Sequence, residues 1–227
     1  MNYKLLKGGH LPDRKCREIL ELFCDDLTAT QIADISRVSR VTVNNYFRII
    51  RSAIASFCEA EASLYTRQQL PVLNTEGTCR PDDNPAACYG FCLRKGKVST
   101  AWLNSICPAT IQQLYNGHEA KNGESSPGFE AYQAVADCNN WRLYWLAEDK
   151  GASSVANALP EITGFWKYTK SRLQKFRGMN KNTLYLHIKE CEFRYNLRND
   201  DILIVLTDII NARRHSTDKV NENPVVV

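Results

Sequence analysis

Near the start of the chain, apolar positions recur with helical period. In DRKCREILELFCDD, Ile19, Leu20, Leu22 and Phe23 fall on one face, and Asp13 stands where it can cap the helix. Thr28 followed by Gln31 is a capping-box start for a short second helix, TQIADIS. A tight SRV turn then leads to Ser39, placed to cap a third helix, RVTVNNYFRIIRSAIASF, whose Val43, Phe47 and Ile50 face inward. CEAEASLYTRQQL continues as a polar helical linker. Beyond Pro71 the period shortens. LPVLN, AACYGFCLR and KVSTAWLN read as strands, the last two joined by a turn at Arg94-Lys95-Gly96. ATIQQLY reads as a helix, NGHEAKNGESSPG as a polar loop, FEAYQAVAD as a helix and WRLYWLA as a strand. Helical spacing returns in two stretches between Gly164 and Asn199 and again in DILIVLTDIINARR. HSTDKVNENPVVV reads as a loose tail.

The second and third helices, with their short turn, have the layout of a helix-turn-helix. Ala33 is small where the helices cross and Val38 plugs the turn. Arg37 takes the turn position usually given to Gly, so it has to accept an unusual backbone conformation. The third helix carries Arg40, Arg48 and Arg51 with no acid between them, and Thr42, Asn44 and Asn45 near its start. With Arg37 and Ser39 these are the candidate DNA-binding residues. Arg neutralises phosphates or pairs with guanine, and Asn can grip adenine bidentately.

Composition narrows the class. The chain has 227 residues, 44% hydrophobic and 24% charged, as expected of a soluble protein with one moderate core and a small satellite domain. No apolar run approaches the roughly 18 residues of a membrane span, and MNYKLLKGGH lacks a signal-peptide core, so the expected location is cytoplasmic. The nine Cys are odd in number and sit inside apolar patterns, which favours reduced, packed thiols. Cys88 and Cys92 have no matching second pair, so no zinc site is expected. A net charge of +4 is only mildly basic, and any nucleic-acid argument rests on where the charge lies.

It lies most densely after Gly164. Lys167, Lys170, Arg172, Lys175, Arg177 and Lys181 follow one another without an acid, and Phe165, Trp166, Leu173 and Phe176 thread through them as core positions. The first five basic residues are candidates for a phosphate-tracking surface. In HIKECEFRYNLR the charges alternate in sign, so Glu190, Glu192 and Arg194 are expected to form internal ion pairs. This region resembles the end of the catalytic domain of small bacterial insertion-sequence transposases of the ISXO-like DDE group, where IE-x-FW-x-x-x-K-x-x-L-x-KF-x-G precedes LKE-x-EFR-x-N-x-R. The N-terminal segment resembles the same group, in LF-x-x-x-x-TA-x-x-A-x-x-x-x-VS-x-x-T-x-x-x-YF-x-x-LR.

The resemblance implies an α/β fold, an RNase-H-like mixed sheet with flanking helices, alongside a small all-α helix-turn-helix domain. The implied division is residues 1–57 for the helix-turn-helix, 58–70 for the linker, 71–214 for the DDE domain and 215–227 for a flexible tail. It also implies double-stranded DNA as partner, a homodimer, and strand cleavage and transfer at insertion-sequence ends. Three acids would hold two Mg²⁺ or Mn²⁺ ions that activate water and then a 3′ hydroxyl. Carried over residue by residue, the three acid positions fall on Thr75, Pro127 and Thr163. Glu76 neighbours the first but points to the other strand face, and Glu161 lies roughly 200° from the third around a helix. The expectation is a DNA-binding family member that is impaired or inactive in cleavage and needs no metal. The alternatives are an active enzyme with Glu76 and Glu161 as displaced acids, and a helix-turn-helix transcriptional regulator. Against the regulator, no GxxxxGK[ST] phosphate loop occurs.

Overall fold

The computed structural model describes residues 11–65, 87–103, 132–146, 152–174 and 181–222. They build two compact units, one from residues 1–57 and 197–227 and the other from 58–196.

The first unit is helical. α1 (Asp13–Cys24) starts at Asp13 itself after Pro12, with no side-chain cap, so Asp13 contributes an acid to the first turn and is not the cap expected of it. The capping box of α2 (Ala29–Ser36) is formed: Gln31 N–H donates to Thr28 Oγ1 at 3.4 Å, and Thr28 N–H donates to Gln31 Oε1 at 2.9 Å. Arg37 closes α2 in the left-handed conformation, with φ 58° and ψ 30°. α3 (Arg40–Tyr65) is one unbroken helix that takes in the start of the expected linker. Cys16, Ile19, Leu20, Phe23, Ile32, Val43, Phe47 and Ile50 are buried, and the rings of Phe23 and Phe47 meet edge to face at 5.1 Å.

α6 (Ile202–Glu222) belongs to this unit, not to the domain expected over 71–214, and packs on α1. Leu206 and Ile210, four residues apart, give it a buried stripe, and Asp201 Oδ1 accepts the N–H groups of Leu203 and Ile204 at its start. It also runs beyond residue 214 into the expected tail, because nothing between His215 and Glu222 breaks a helix.

The second unit is a four-stranded sheet under two helices. β1 (Cys88–Arg94) and β2 (Lys97–Leu103) form the expected hairpin, with Lys95 at φ 49° and Gly96 at φ 77° in its two-residue turn. β3 (Ala134–Asp137) and β4 (Arg142–Trp145) extend the sheet to the order β2-β1-β3-β4. The helix expected over FEAYQAVAD is therefore corrected to a strand over its last four residues. All four are buried, and a short apolar run covered on both faces carries no period to separate strand from helix. All three pairings are antiparallel, so the parallel pair of a mixed sheet does not occur among the described residues. The expected strand LPVLN and helix ATIQQLY lie outside the described residues.

α4 (Ala152–Leu173) and α5 (Lys181–Asn196) cover one sheet face, where Tyr89, Phe91, Ala134 and Ala136 meet Ile162, Phe165, Trp166 and Ile188. Tyr132 packs on the other face, its ring so close to Gly90 that an added Cβ would come within 2.5 Å.

The expected internal ion pairs of α5 are formed, in two groups. Glu190, Arg194 and Arg172 from α4 make one: Glu190 Oε1 accepts from Arg172 at 2.6 Å and from Arg194 at 3.0 Å, all three side chains buried. Lys189, Glu192 and Asn196 make the other, along the free edge of β2. Asn196 accepts from Val98 N–H at 2.9 Å and donates to Val98 C=O at 2.7 Å. Glu192 accepts Thr100 N–H at 3.0 Å, and the Lys189 ammonium donates to Thr100 C=O at 2.6 Å and to Glu192 at 2.9 Å. A ridge of one helix thus takes the place of a neighbouring strand, satisfying edge groups that otherwise invite pairing.

Candidate nucleic-acid interface

The first half of α3 separates its residue types cleanly. Val43, Tyr46, Phe47, Ile50 and Ile54 are buried, while Arg40, Val41, Asn44, Asn45 and Arg48 are exposed on the opposite side. Ser39 caps the helix by accepting Thr42 N–H at 3.1 Å and also bonds the Thr42 hydroxyl at 2.9 Å, so Thr42 is half-buried and engaged in the cap. No acid occupies the first turn, and the positive end of the helix dipole is left uncompensated there. Arg37 and Ser39 stand exposed at the turn. Arg51 departs from the group: it is half-buried, its guanidinium 4.9 Å from the Phe47 ring centroid.

Val41, 72% exposed, was not among the candidates because a Val beside Val43 reads as a core position. Its signal was available in the spacing, since residues three, four and seven positions on (Asn44, Asn45 and Arg48) are all polar.

The basic residues of α4 do not share one face. Lys167 is exposed, and Lys170 is half-buried with its ammonium 5.5 Å from the Trp166 ring centroid. Arg172 is corrected from phosphate contact to interior ion pair: at 3% side-chain exposure, with Glu190 and the Cys191 sulfur as partners, it has no surface to offer. It stands five positions after Lys167, which turns it to the far side of the helix. Lys175 and Arg177 lie outside the described residues.

Among known proteins, the chain is 45% identical over 105 residues to an uncharacterized transposase-like protein of Haemophilus influenzae, a stretch that covers 45% of this chain and 83% of that protein. The chain belongs to this transposase-like family. No family profile matches it, and no solved structure does.

Of the three positions where a DDE-type transposase-like protein would carry its acids, Thr163 is described; Thr75, with its neighbour Glu76, and Pro127 lie outside the described residues. Thr163 is half-buried in the middle of α4 and offers a neutral hydroxyl. The helix already begins at Ala152 and runs through Pro160, so Glu161 is held roughly 200° away from Thr163. Its carboxylate accepts from the Tyr195 hydroxyl at 3.2 Å, and that hydroxyl sits where a Cβ on Gly164 would come within 2.7 Å. No cluster of three His, Cys, Asp or Glu occurs among the described residues. A divalent cation prefers several convergent oxygen ligands, and the described part of these positions supplies one neutral hydroxyl, at Thr163. The described thiols of this unit are shifted by their burial. Burial pushes Cys88 up to about 12, with Asp137 adding to it, and burial raises Cys191 to about 11 against the opposing pull of Arg172.

Proposed function

We propose that this transposase-like protein is a DNA-binding relative of ISXO-like DDE transposases that uses an N-terminal helix-turn-helix and is impaired or inactive in strand cleavage and transfer. The observation that carries the reading is the exposed face of α3, Arg40, Val41, Asn44, Asn45 and Arg48, at a capped helix start without acids. Side chains at the start of such a helix reach base edges: Arg pairs with guanine, Asn with adenine, and Val can meet a thymine methyl.

The second unit supports the DDE part of the reading through its basic, aromatic α4 followed by the KECEFRYN helix, and through its α/β layering. On this reading it is an RNase-H-like domain acting as a homodimer on double-stranded DNA in the cytoplasm. Thr163 at an acid position, together with the engagement of Glu161 by Tyr195, supports impaired chemistry and no metal cofactor. No described helix is long and apolar enough to cross a membrane.

The test is binding to duplex DNA carrying insertion-sequence end repeats. Arg40→Ala with Arg48→Ala should weaken binding and reduce the slope of log affinity against log salt by about 2, one for each phosphate that is no longer neutralised. Folding stability should change by less than about 0.5 kcal/mol, because both side chains are exposed. A double variant that binds as tightly as the parent would end the α3 reading. Robust cleavage with Mg²⁺ or Mn²⁺, abolished by Glu76→Ala or Glu161→Ala, would end the impairment reading.

A further inference from the structure

Trp141 has no part in the site on α3, yet its placement is unusual. It ends the turn between β3 and β4 at φ 56°, a left-handed conformation that bulky side chains rarely adopt. The turn is over-determined from below. The buried Asp137 carboxylate accepts the N–H groups of Asn139 at 2.8 Å and Asn140 at 3.2 Å and the Asn140 side-chain amide at 2.7 Å. Strain held by its surroundings in this way clusters where a side chain is being presented for use.

The ring so presented is held against a neighbour and stays partly exposed. It stacks on buried Trp166, with centroids 6.0 Å apart and planes at 27°, and Trp141 remains 39% exposed. Cations lie nearby along the chain: the Lys170 ammonium is 5.5 Å from the Trp166 ring centroid, exposed Lys167 follows Trp166 on α4, and exposed Arg142 follows Trp141. A ligand matched to this surface needs a flat π face and negative charge next to it. A nucleotide has both, but in a duplex its faces are covered by neighbouring bases. We propose that Trp141 is a stacking platform for an unpaired base of a DNA strand, whose phosphates Lys167 and Lys170 attract. The proposal rests on the DNA-binding reading above and adds a second, strand-opened substrate site to it.

The experiment compares the full chain on a blunt duplex and on the same duplex with a short unpaired 3′ overhang. The parent should bind the overhang probe more tightly. Trp141→Gly, which suits the positive φ, should lose about tenfold on that probe and nothing on the blunt one. Trp141→Phe keeps a ring in a folded chain, so it should retain most of the affinity while losing the quenching of indole fluorescence by overhang DNA. Equal affinity of parent and Trp141→Gly for the overhang probe, or equal losses on both probes, overturns the proposal. Tighter binding of an RNA overhang than a DNA one overturns the DNA occupant. A parent that binds neither probe overturns the DNA-binding reading, and the stacking site with it.

Discussion

The first half of α3 and the second half of α5 are both rich in polar and charged residues, and they use them in opposite ways. On α3, Arg40, Asn44, Asn45 and Arg48 stand exposed above an apolar floor, with no acid among them. On α5, Lys189, Glu190, Glu192 and Arg194 are buried, and each is held by a partner of opposite charge. The difference lies in sign and spacing. Acids and bases three and four apart on one helix can neutralise each other and be taken inside; cations without acids have to stay in water or meet an external anion. A dense run of charge is therefore not a surface by default, and Arg172 shows how one buried acid on a neighbouring helix pulls a cation out of a basic run.

The largest expected effect of a substitution tests the buried half of this contrast. Glu190→Ala would leave Arg172 and Arg194 buried with their shared carboxylate gone and should cost about 3–5 kcal/mol, measured as the urea midpoint. Replacing all three together (Arg172→Met, Glu190→Leu, Arg194→Met) should cost far less, because apolar side chains of similar volume need no partners. If Glu190→Ala costs under about 1 kcal/mol, the triad is not held as a closed charge group and the contrast with α3 fails.

A pH-dependent effect follows from the thiols around the same core. Cys88 and Cys191 titrate in the folded chain at about 12 and about 11, above the ordinary value of 9.0, chiefly because of burial; Cys58, Cys92 and Cys138 are raised for the same leading reason. Above pH 9.0 the unfolded chain releases protons that the folded chain keeps. Stability is thus fully present below that pH and is lost as the pH rises toward the folded values, by about 1.4 kcal/mol per unit for each thiol. The urea midpoint should fall between pH 9.0 and about 11, and Cys191→Ala should make the fall shallower. A midpoint that stays flat over that range would show that the thiols meet solvent in the folded state.

Much of the first unit was legible because its signals are local. The Thr28–Gln31 box, the Ser39 cap, the strained Arg37 turn and the inward Val43, Phe47 and Ile50 are each fixed by neighbours within four residues. The second unit was legible only where its signals were local too, as in the Lys95-Gly96 turn. β3 was missed because its four buried residues depend on β1 and β4, far off in sequence. Of the site, the α3 face could be read, but the inward turn of Arg172 could not, because it depends on a partner from another helix (Glu190 on α5). Trp141 carried no signal at all until its backbone angle and its stacking on Trp166 were seen.

The smallest effect sharpens the exposed half. Arg37 holds a left-handed backbone at φ 58°, which costs a residue with a Cβ about 1–2 kcal/mol. Arg37→Gly removes that cost but gives the unfolded chain more freedom, so the net gain in stability should be about 0.5–1 kcal/mol. The side chain removed is exposed beside the start of α3 and without an acid in that first turn to hold it. If the α3 face grips DNA, the same substitution should weaken duplex binding and lower its salt slope by about 1. Stability and affinity would then move in opposite directions, as expected of a residue kept at a turn for its charge against the preference of its backbone. A variant that gains stability and binds DNA unchanged would confine the interface to Arg40 and the residues after it. One that loses stability would place the Arg37 side chain in the fold itself, and the division between exposed α3 and buried α5 would have to be redrawn at the turn.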